Sequence, residues 1–438
     1  MKDLKRLWLV SLLVKFILAA IIPLAADEAY YWVWSNRLQL SYFDHPPMVA
    51  WLFYLGHFLE PFLNSVRWPA VFLGHCSLAL GVLLLKDSFS EEKIRWWMFL
   101  ILFSPLLGFG SLIVTPDLPV IFFWILSLYF LKKVFETGGA WNYLALGSSL
   151  GLGFCSKYHI VLFVPCLILY LLFEKKWTLV QWKWVPLTIL AGFIFCFPVL
   201  YWNYLNDFSS FTFQIKHGLQ KENYDFAWTS SYVFGQILIL FPWIVWAAIK
   251  AKVPEKMRFL IYFAWFPLIF FFFTSFRASV EANWPIIAVP SVCALSACHP
   301  KIRSWLRYYV GFWGVAITIV LTALFVPSLR QMNSKINEPF EFQQLSAQTQ
   351  DYSPLYAASY QMASSLWYFS KKPVFKLQGL SRYDFFDTLK ESKPEGSVFY
   401  LVKHETNGLP EWISQQQWSQ REIKKISPDY VLLEFTRR

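Results

Sequence analysis

Long apolar stretches recur along most of this 438-residue chain and constrain its fold more than any other feature. Because a bilayer core of about 30 Å needs roughly 20 apolar residues per helix, these stretches predict transmembrane helices. Eleven are predicted, at 7–26, 69–85, 96–113, 118–131, 142–156, 160–173, 184–201, 229–249, 259–275, 285–298 and 308–326. The chain is 56% hydrophobic and only 15% charged, which excludes an ordinary soluble protein. The sequence therefore predicts an all-α polytopic membrane domain.

Basic residues are divided unevenly between the two sides of this domain. With the N-terminus inside, the inner segments hold 18 Lys and Arg residues, and the outer loops before the tail hold 6. This bias predicts a cytoplasmic N-terminus and explains the net charge of +11 without a nucleic-acid partner. Lys15, inside the first stretch, is expected to extend its amine toward the cytoplasm. The basic start, apolar run and small residues before Asp27 would also suit a cleaved signal peptide.

The character of the sequence changes near residue 327. The predicted division is a membrane domain at 1–326, with a long outer loop at 27–68, and a soluble domain at 327–438. The tail combines a helix-like stretch at 357–369 with strand-like runs at 397–402 and 430–435, which predicts a small extracytoplasmic α/β domain. It carries 14 of the 39 basic residues, which suits contact with anionic headgroups and equally a solvated surface.

An acidic pair follows the first apolar stretch, in the run Pro23-Leu-Ala-Ala-Asp-Glu-Ala-Tyr-Tyr-Trp32. Carboxylates at a membrane surface are costly to desolvate, and they can take a proton from a hydroxyl or hold a metal or phosphate complex. Asp27 and Glu28 are therefore candidate catalytic residues. The same pair would also suit the first turn of a helix.

The other unusual polar residues fall mainly on the same predicted outer side. They lie in Tyr42-Phe-Asp-His-Pro-Pro47, Thr115-Pro-Asp117, Ser156-Lys-Tyr158, Phe213-Gln-Ile-Lys-His217 and Glu281-Ala-Asn-Trp-Pro285, and at Arg277. Acids, histidines and cations at one membrane face are typical of an active site for a charged, membrane-borne substrate. The alternative is a transporter or flippase, which predicts internal repeats and charges near the midplane. A structural or regulatory subunit would not need this combination of motifs.

In order, spacing and sidedness these motifs resemble those of the C-type (GT-C) membrane glycosyltransferases. The most similar group contains the protein O-mannosyltransferases, the aminoarabinose lipid A transferases and the rhizobial galacturonosyltransferases. Two tail motifs, Ser359-Tyr-Gln-Met and Ser381-Arg-Tyr-Asp384, are similar as well. The resemblance implies a GT-C fold in the bacterial inner membrane, with a periplasmic active site and C-terminal domain.

The resemblance also implies the reaction and its partners. It implies inverting transfer of a monosaccharide from a polyprenyl-phosphate donor to lipid A or lipopolysaccharide, another glycan or a protein. Membrane lipids are expected partners and nucleic acid is not. The sequence shows no nucleotide-sugar motif, so no nucleotide cofactor is expected.

Individual residues receive roles from the same resemblance. Asp27 matches the first-loop acid, the general base that takes the proton of the acceptor hydroxyl. Asp44 and His45 stand where the aminoarabinose transferases have a Glu-Lys pair, and His217 matches a loop histidine that can ligate a metal. Asp44 and His217 thus predict a divalent metal site for Mg, Mn or Zn. His217 could equally cap a loop helix.

The outer cations predict a phosphate site. Lys157 and Arg277 depart from the inward bias of positive charge, so they are predicted to bind the donor phosphate together with His45 and Tyr158. For Lys157, extension toward water is the routine alternative. Asp117 is a further catalytic candidate that could instead begin a helix and support the site. The residues predicted to line the sugar or acceptor pocket are Tyr42, Glu281, Asn283 and Trp284, although most aromatics in such a chain belong to the core or the interfacial belts.

Overall fold

The structure, a computed structural model, describes residues 2–63, 65–219, 223–416 and 418–437. The α-helices of this part are α1 (Lys2–Ile21), α2 (Ala26–Ser35), α3 (Met48–Gly56), α4 (Glu60–Leu63), α5 (Trp68–Leu85), α6 (Glu91–Leu102), α7 (Asp117–Glu136), α8 (Ala140–Phe154), α9 (Phe163–Phe173), α10 (Val185–Leu205), α11 (Ser209–Leu219), α12 (Phe226–Leu240), α13 (Pro242–Ile249), α14 (Phe259–Thr274), α15 (Val289–Ser296), α16 (Ile302–Phe325), α17 (Pro327–Arg330), α18 (Ser334–Thr349), α19 (Tyr360–Ser370) and α20 (Glu411–Gln415). The strands are β1 (Leu355–Ala357), β2 (Val374–Lys376), β3 (Val398–His404), β4 (Trp418–Lys425) and β5 (Tyr430–Arg437).

The chain divides into two compact units. Unit 1 comprises Met1–Ile21 and Leu40–Val320, and unit 2 comprises Ile22–Gln39 and Leu321–Arg438. The second part of unit 2 starts six residues before the predicted tail at 327. The segment that carries α2 also belongs to unit 2, although it is distant from the tail in sequence. The predicted domain limits themselves stay a prediction.

Unit 1 contains most of the membrane-type helices. Over the described residues, five helices are long and apolar enough to cross a bilayer, or up to eight when each of three bent pairs is counted as one span. The five are Trp68–Leu85, Asp117–Glu136, Trp182–Leu205, Glu255–Thr274 and Ile302–Phe325. Prolines begin the second halves of two bent pairs, where the axes turn by 71° at Pro105 and 85° at Pro242. The predicted fold class is confirmed, whereas the count of eleven complete spans is not.

Glycines allow α8 to approach α10 closely. A Cβ on Gly147 would lie 2.1 Å from the carbonyl oxygen of Thr188, and one on Gly151 would lie 2.6 Å from that of Gly192. Small residues four positions apart let two membrane helices pack backbone against backbone. Helix α8 also packs on α7, so its C-terminal end is held between two helices, and the candidate residue Lys157 comes three residues later.

Unit 2 is built on a five-stranded sheet with the strand order β2-β1-β3-β5-β4. Strand β1 is parallel to β2 and β3, while β5 is antiparallel to both β3 and β4. Alternate side chains of the central strands, among them Phe399, Leu401, Leu433 and Phe435, form a buried core on one face of the sheet. Helix α19 packs on β1, β2 and α18. The predicted small α/β domain is therefore confirmed.

Helix α2 packs against α19 within this unit. The rings of Trp32 and Tyr368 meet edge to face with their centroids 5.2 Å apart. The hydroxyl of Tyr30 accepts a 2.9 Å hydrogen bond from the backbone N–H of Phe385. The loop around Phe385 is in turn fixed by the buried amine of Lys376, which lies 2.6 Å from the Asp384 carboxylate. The tail thus holds the helix on which Asp27 lies.

Candidate active site

A buried ion pair lies at the centre of the candidate residues of unit 1. Asp117 is the first residue of α7, and its Oδ1 accepts a 2.6 Å hydrogen bond from the amine of Lys157. Its Oδ2 accepts a 2.5 Å hydrogen bond from the side-chain amide of Asn283 and a 3.4 Å bond from the Thr115 hydroxyl. Both charged side chains are less than a tenth exposed. Asp117 therefore joins three chain segments that are distant in sequence.

The segment predicted as the first outer loop is hydrogen-bonded to the same region. The backbone N–H of Met48, directly after the Tyr42–Pro47 motif, donates to the carbonyl of Cys155 at 2.9 Å, two residues before Lys157. The side chain of Gln214, on α11, donates to the backbone carbonyl of Asp44 at 2.6 Å. Tyr42 and Asp44 are both buried. These bonds place the first-loop acid beside the Lys157 segment.

Aromatic and imidazole rings complete this cluster. The Tyr158 hydroxyl and the Ser210 hydroxyl are 2.9 Å apart, which links the Lys157 segment to α11. His159 lies beside Trp284, with 5.9 Å between ring centroids. His45 and Lys157 both interact electrostatically with His159. The structure thus brings together most of the residues of unit 1 that the sequence singled out.

Two predicted residues lie at the edge of this arrangement. Arg277 and Glu281 are exposed in the turn that follows α14. Among the described residues the Arg277 side chain has no ion pair. The backbone carbonyl of Glu281 accepts from the N–H of Trp284, so this turn leads directly to Asn283 and Trp284. Both side chains are accessible to a ligand, but no contact in the structure assigns them one.

The predicted metal pair is only partly described. Within residues 2–63, 65–219, 223–416 and 418–437, no group of three or more His, Cys, Asp and Glu side chains is arranged to hold a metal. The His217 side chain lies outside the described part. Its backbone is in α11, one turn after Gln214, the residue that contacts Asp44. Asp44 supplies an acidic ligand of the right type, and the metal stays a prediction.

Asp27 and Glu28 have different surroundings in unit 2. Asp27 is exposed in the first turn of α2, where its Oδ1 accepts a 3.2 Å hydrogen bond from the hydroxyl of Tyr360. Glu28 is fully buried, and its Oε2 accepts a 2.9 Å bond from the backbone N–H of Ala25. Glu28 therefore makes the capping contact at the N-terminus of α2 that its position suggests. Asp27 keeps the exposure that a general base needs.

Asp27 has an acidic neighbour, Glu338, in the same unit. Burial, followed by the negative charges of Asp27 and Glu341, raises the pKa of the Glu338 carboxyl above its ordinary value. The guanidinium of Arg382 lies over the ring of Tyr360, whose hydroxyl contacts Asp27, 4.8 Å from the ring centroid. The tail thus contributes a hydroxyl, a carboxyl and a cation around the predicted base.

The chain is similar to known proteins over its membrane part and over its full length. Residues 44–202 match the family model of dolichyl-phosphate-mannose-protein mannosyltransferases. A lipid A galacturonosyltransferase, RgtD of Rhizobium johnstonii, is 23% identical over 318 residues, which is 69% of this chain and 66% of the relative. The match thus spans slightly less than two thirds of that relative.

Two crystal structures share the fold. ArnT from Cupriavidus metallidurans bound to undecaprenyl phosphate superimposes with a TM-score of 0.69 at 15% identity, over 98% of this chain and 97% of that one. Its apo state gives 0.70 at 15% identity, over 99% and 98%. The chain therefore has the C-type (GT-C) fold. The shared fold covers both the membrane helices and the tail.

Sequence reasoning missed three residues that the structure places near the candidates. Tyr360 lies in a motif already noted as familiar, yet its contact with Asp27 has no local signal. Glu338 lies in an ordinary polar helix. Lys15 does not extend toward the cytoplasm as expected: it is 8% exposed, and its amine donates to the Ser111 hydroxyl at 2.6 Å.

Proposed function

We propose that the protein is an inverting glycosyltransferase that moves a monosaccharide from a polyprenyl-phosphate donor to lipid A or a related acceptor at the outer face of the inner membrane. The observation that carries the proposal is the buried Lys157–Asp117 pair in a membrane unit with the C-type fold, next to a backbone bond that ties the loop of Asp44 to the Lys157 segment. The names of the relatives support the partners: one modifies lipid A, and another was crystallised with undecaprenyl phosphate.

The proposed reaction is a single displacement. Asp27 takes the proton of the acceptor hydroxyl, which then attacks the anomeric carbon from the face opposite the phosphate. The bond between the anomeric carbon and the phosphate oxygen breaks, its electrons stay on the leaving polyprenyl phosphate, and the configuration inverts. Lys157 and Arg277 stabilise the charge that develops on this phosphate. The hydroxyl of Tyr360 holds the Asp27 carboxylate in place.

The test is transfer by purified protein in nanodiscs, with lipid A and a panel of undecaprenyl-phosphate-linked sugars, followed by mass spectrometry of the products. Asp27→Asn should lower the rate at least about a hundredfold, the usual effect of losing a general base. Asp225→Asn is the matched control, because Asp225 also begins a helix through a 2.8 Å side-chain bond to Ala227 and Asn caps equally well.

A glycosylated product made by the wild type and lost in Asp27→Asn would support the proposal. Near-normal turnover by Asp27→Asn would remove the base role. Movement of the lipid-linked sugar across the membrane without a glycosylated product would favour the flippase alternative instead.

A further inference from the structure

A cavity of about 190 Å³ opens between α1, α5, α6 and α7 of unit 1. Most of its wall is apolar, with Leu78, Trp97 and Ile121 among the lining side chains. The polar groups that line it are Lys15, Ser77, Ser111, Thr115, Asp117 and Asn283. The cavity therefore shares Asp117 and Asn283 with the buried ion pair and extends from it toward α1.

Lys15 is a charged residue of this wall that the candidate site leaves without a role. It lies six residues before the end of α1, which is about 9 Å along a helix axis. The side chain is more than nine-tenths buried. Within the described residues its amine has a single hydrogen-bond partner, the Ser111 hydroxyl at 2.6 Å, and no carboxylate within ion-pair distance. An ammonium group has three donors, so two remain for a ligand.

The charges around the cavity leave Lys15 uncompensated. Asp117 is the acid of the cavity wall, and Lys157 already pairs with it at 2.6 Å. Counting formal charges, Lys15 and Lys157 contribute two positive charges and Asp117 one negative charge, which leaves +1. A buried, unpaired cation in a membrane protein is costly and marks a ligand site when a cavity lies beside it.

We propose that this cavity binds an oxyanion of the lipid-linked donor, with Lys15 as its cation. The assignment rests on the proposed function for the identity of the donor. Two groups of such a donor share this chemistry: the phosphate of the polyprenyl carrier and a carboxylate on an acidic sugar. The apolar wall suits the isoprenoid chain or the sugar ring, while Thr115 and Asn283 offer polar contacts for hydroxyl groups.

The experiment measures equilibrium binding to protein in nanodiscs, without turnover. The probes are undecaprenyl phosphate, undecaprenyl-phosphate-linked glucose and undecaprenyl-phosphate-linked glucuronic acid. If Lys15 holds the phosphate, Lys15→Gln should weaken binding of all three probes about tenfold or more, the effect of one charge-assisted hydrogen bond. If it holds the carboxylate, Lys15→Gln should weaken only the glucuronic acid probe. Lys15→Arg should keep most of the affinity in either case.

A second variant tests the same cation while Lys15 stays in place. Ser111→Asp would place a carboxylate next to the Lys15 amine, where the hydroxyl now lies at 2.6 Å. This internal counter-ion should raise the melting temperature and at the same time weaken oxyanion binding. Lys132→Gln is the control, because Lys132 is also buried in unit 1 but pairs with Asp87 at 3.0 Å, away from the cavity. It should lower stability without changing the affinity for any probe.

Unchanged affinities of folded Lys15→Gln or Ser111→Asp for all three probes would overturn the proposal, as would a wild type that binds none of them. The proposed function fails in a different way. A wild type that binds the probes through Lys15 and transfers no sugar would contradict glycosyl transfer and leave the oxyanion site standing.

Discussion

A lysine and an aspartate that are buried together stabilise a protein only while both are present. Lys157 and Asp117 are each less than a tenth exposed and 2.6 Å apart. In a medium of low polarity, removal of one partner leaves the other charged and without compensation. The predicted role of Lys157 in donor binding therefore cannot be tested by one substitution, because stability and binding would change together.

Lys157→Met should lower the free energy of unfolding by about 3–5 kcal/mol, the usual loss when a buried pair is broken on one side. The double variant Asp117→Asn with Lys157→Met should recover part of that loss, because neither charge is then buried alone. Chemical unfolding in detergent micelles measures the free energy of unfolding of the single and the double variant. A double variant as unstable as the single one would show that the two charges are not coupled.

Arg277 allows the phosphate role to be tested without this complication. Its side chain is exposed and has no ion pair in the part of the chain that the structure describes. Arg277→Ala should weaken undecaprenyl phosphate binding about tenfold while the melting temperature stays unchanged. Arg303→Ala, at another exposed arginine on the predicted inner side, is the control. Equal affinity in the two variants would place the phosphate elsewhere.

Glu338 makes stability depend on pH. Its pKa is raised above the ordinary value of 4.5 by burial and by the charge of Asp27. The folded state thus holds the Glu338 proton more tightly than the unfolded state. The stabilisation that this proton gives the folded state is fully present below pH 4.5 and is lost as pH rises through the raised pKa. Glu338→Gln should therefore be more stable than the wild type at neutral pH, and the difference should shrink on acidification. Melting curves of the two proteins from acidic to neutral pH measure this stability difference. A difference that does not change with pH would contradict the prediction.

At the scale of elements, close helix approach depends on residues that carry no side chain. In α8, Gly147 and Gly151 face the backbone of α10 at distances that a Cβ could not keep. Helix α8 ends three residues before Lys157, so its packing also positions the ion pair. In unit 2 the tail positions α2 in a similar way, because the buried Lys376–Asp384 pair fixes the loop whose backbone contacts Tyr30.

Gly147→Ala should destabilise the protein, because the new Cβ would lie 2.1 Å from the carbonyl oxygen of Thr188 and the helices must separate. Gly235→Ala in α12 is the matched control, since nothing lies within 4 Å of a Cβ there. That variant should be neutral or more stable by about 0.5–1 kcal/mol, the usual gain of Gly to Ala in a helix. Thermal unfolding of the two variants measures this difference in stability. Equal melting temperatures would contradict the packing argument.

For the whole molecule, the proposed chemistry depends on groups that come from distant parts of the chain. The proposed metal would join the predicted first outer loop, through Asp44, to α11, through His217. A bound divalent ion would neutralise charge on the leaving phosphate. The bond from Gln214 to the Asp44 carbonyl already holds these two segments together.

Activity should be lost after exhaustive chelation and return on addition of Mg, Mn or Zn. Elemental analysis gives an independent measure: purified protein should contain metal, and Asp44→Ala and His217→Ala should each lower the metal content. A metal-free protein with full activity would remove the metal from the mechanism and leave phosphate binding to the cationic side chains.

The sequence by itself determined the class of fold and the identity of most candidate residues. Apolar runs and the change in composition near residue 327 are local properties, and they suffice to predict membrane helices and a separate α/β tail. The motifs around Asp27, Asp44 and Asp117 are local too, so the order of residues along the chain is enough to show the resemblance to the C-type group.

Only the tertiary structure decided which residues meet. Asp117 pairs with a lysine 40 residues later and an amide 166 residues later, and Tyr360 reaches Asp27 across 333 residues. Lys15 shows most clearly what the sequence does not predict. The apolar run around it predicts an amine in water, yet the structure buries this amine against Ser111, 96 residues away. Hydropathy records how each segment partitions between water and lipid, whereas the partner of a buried charge depends on how the helices pack.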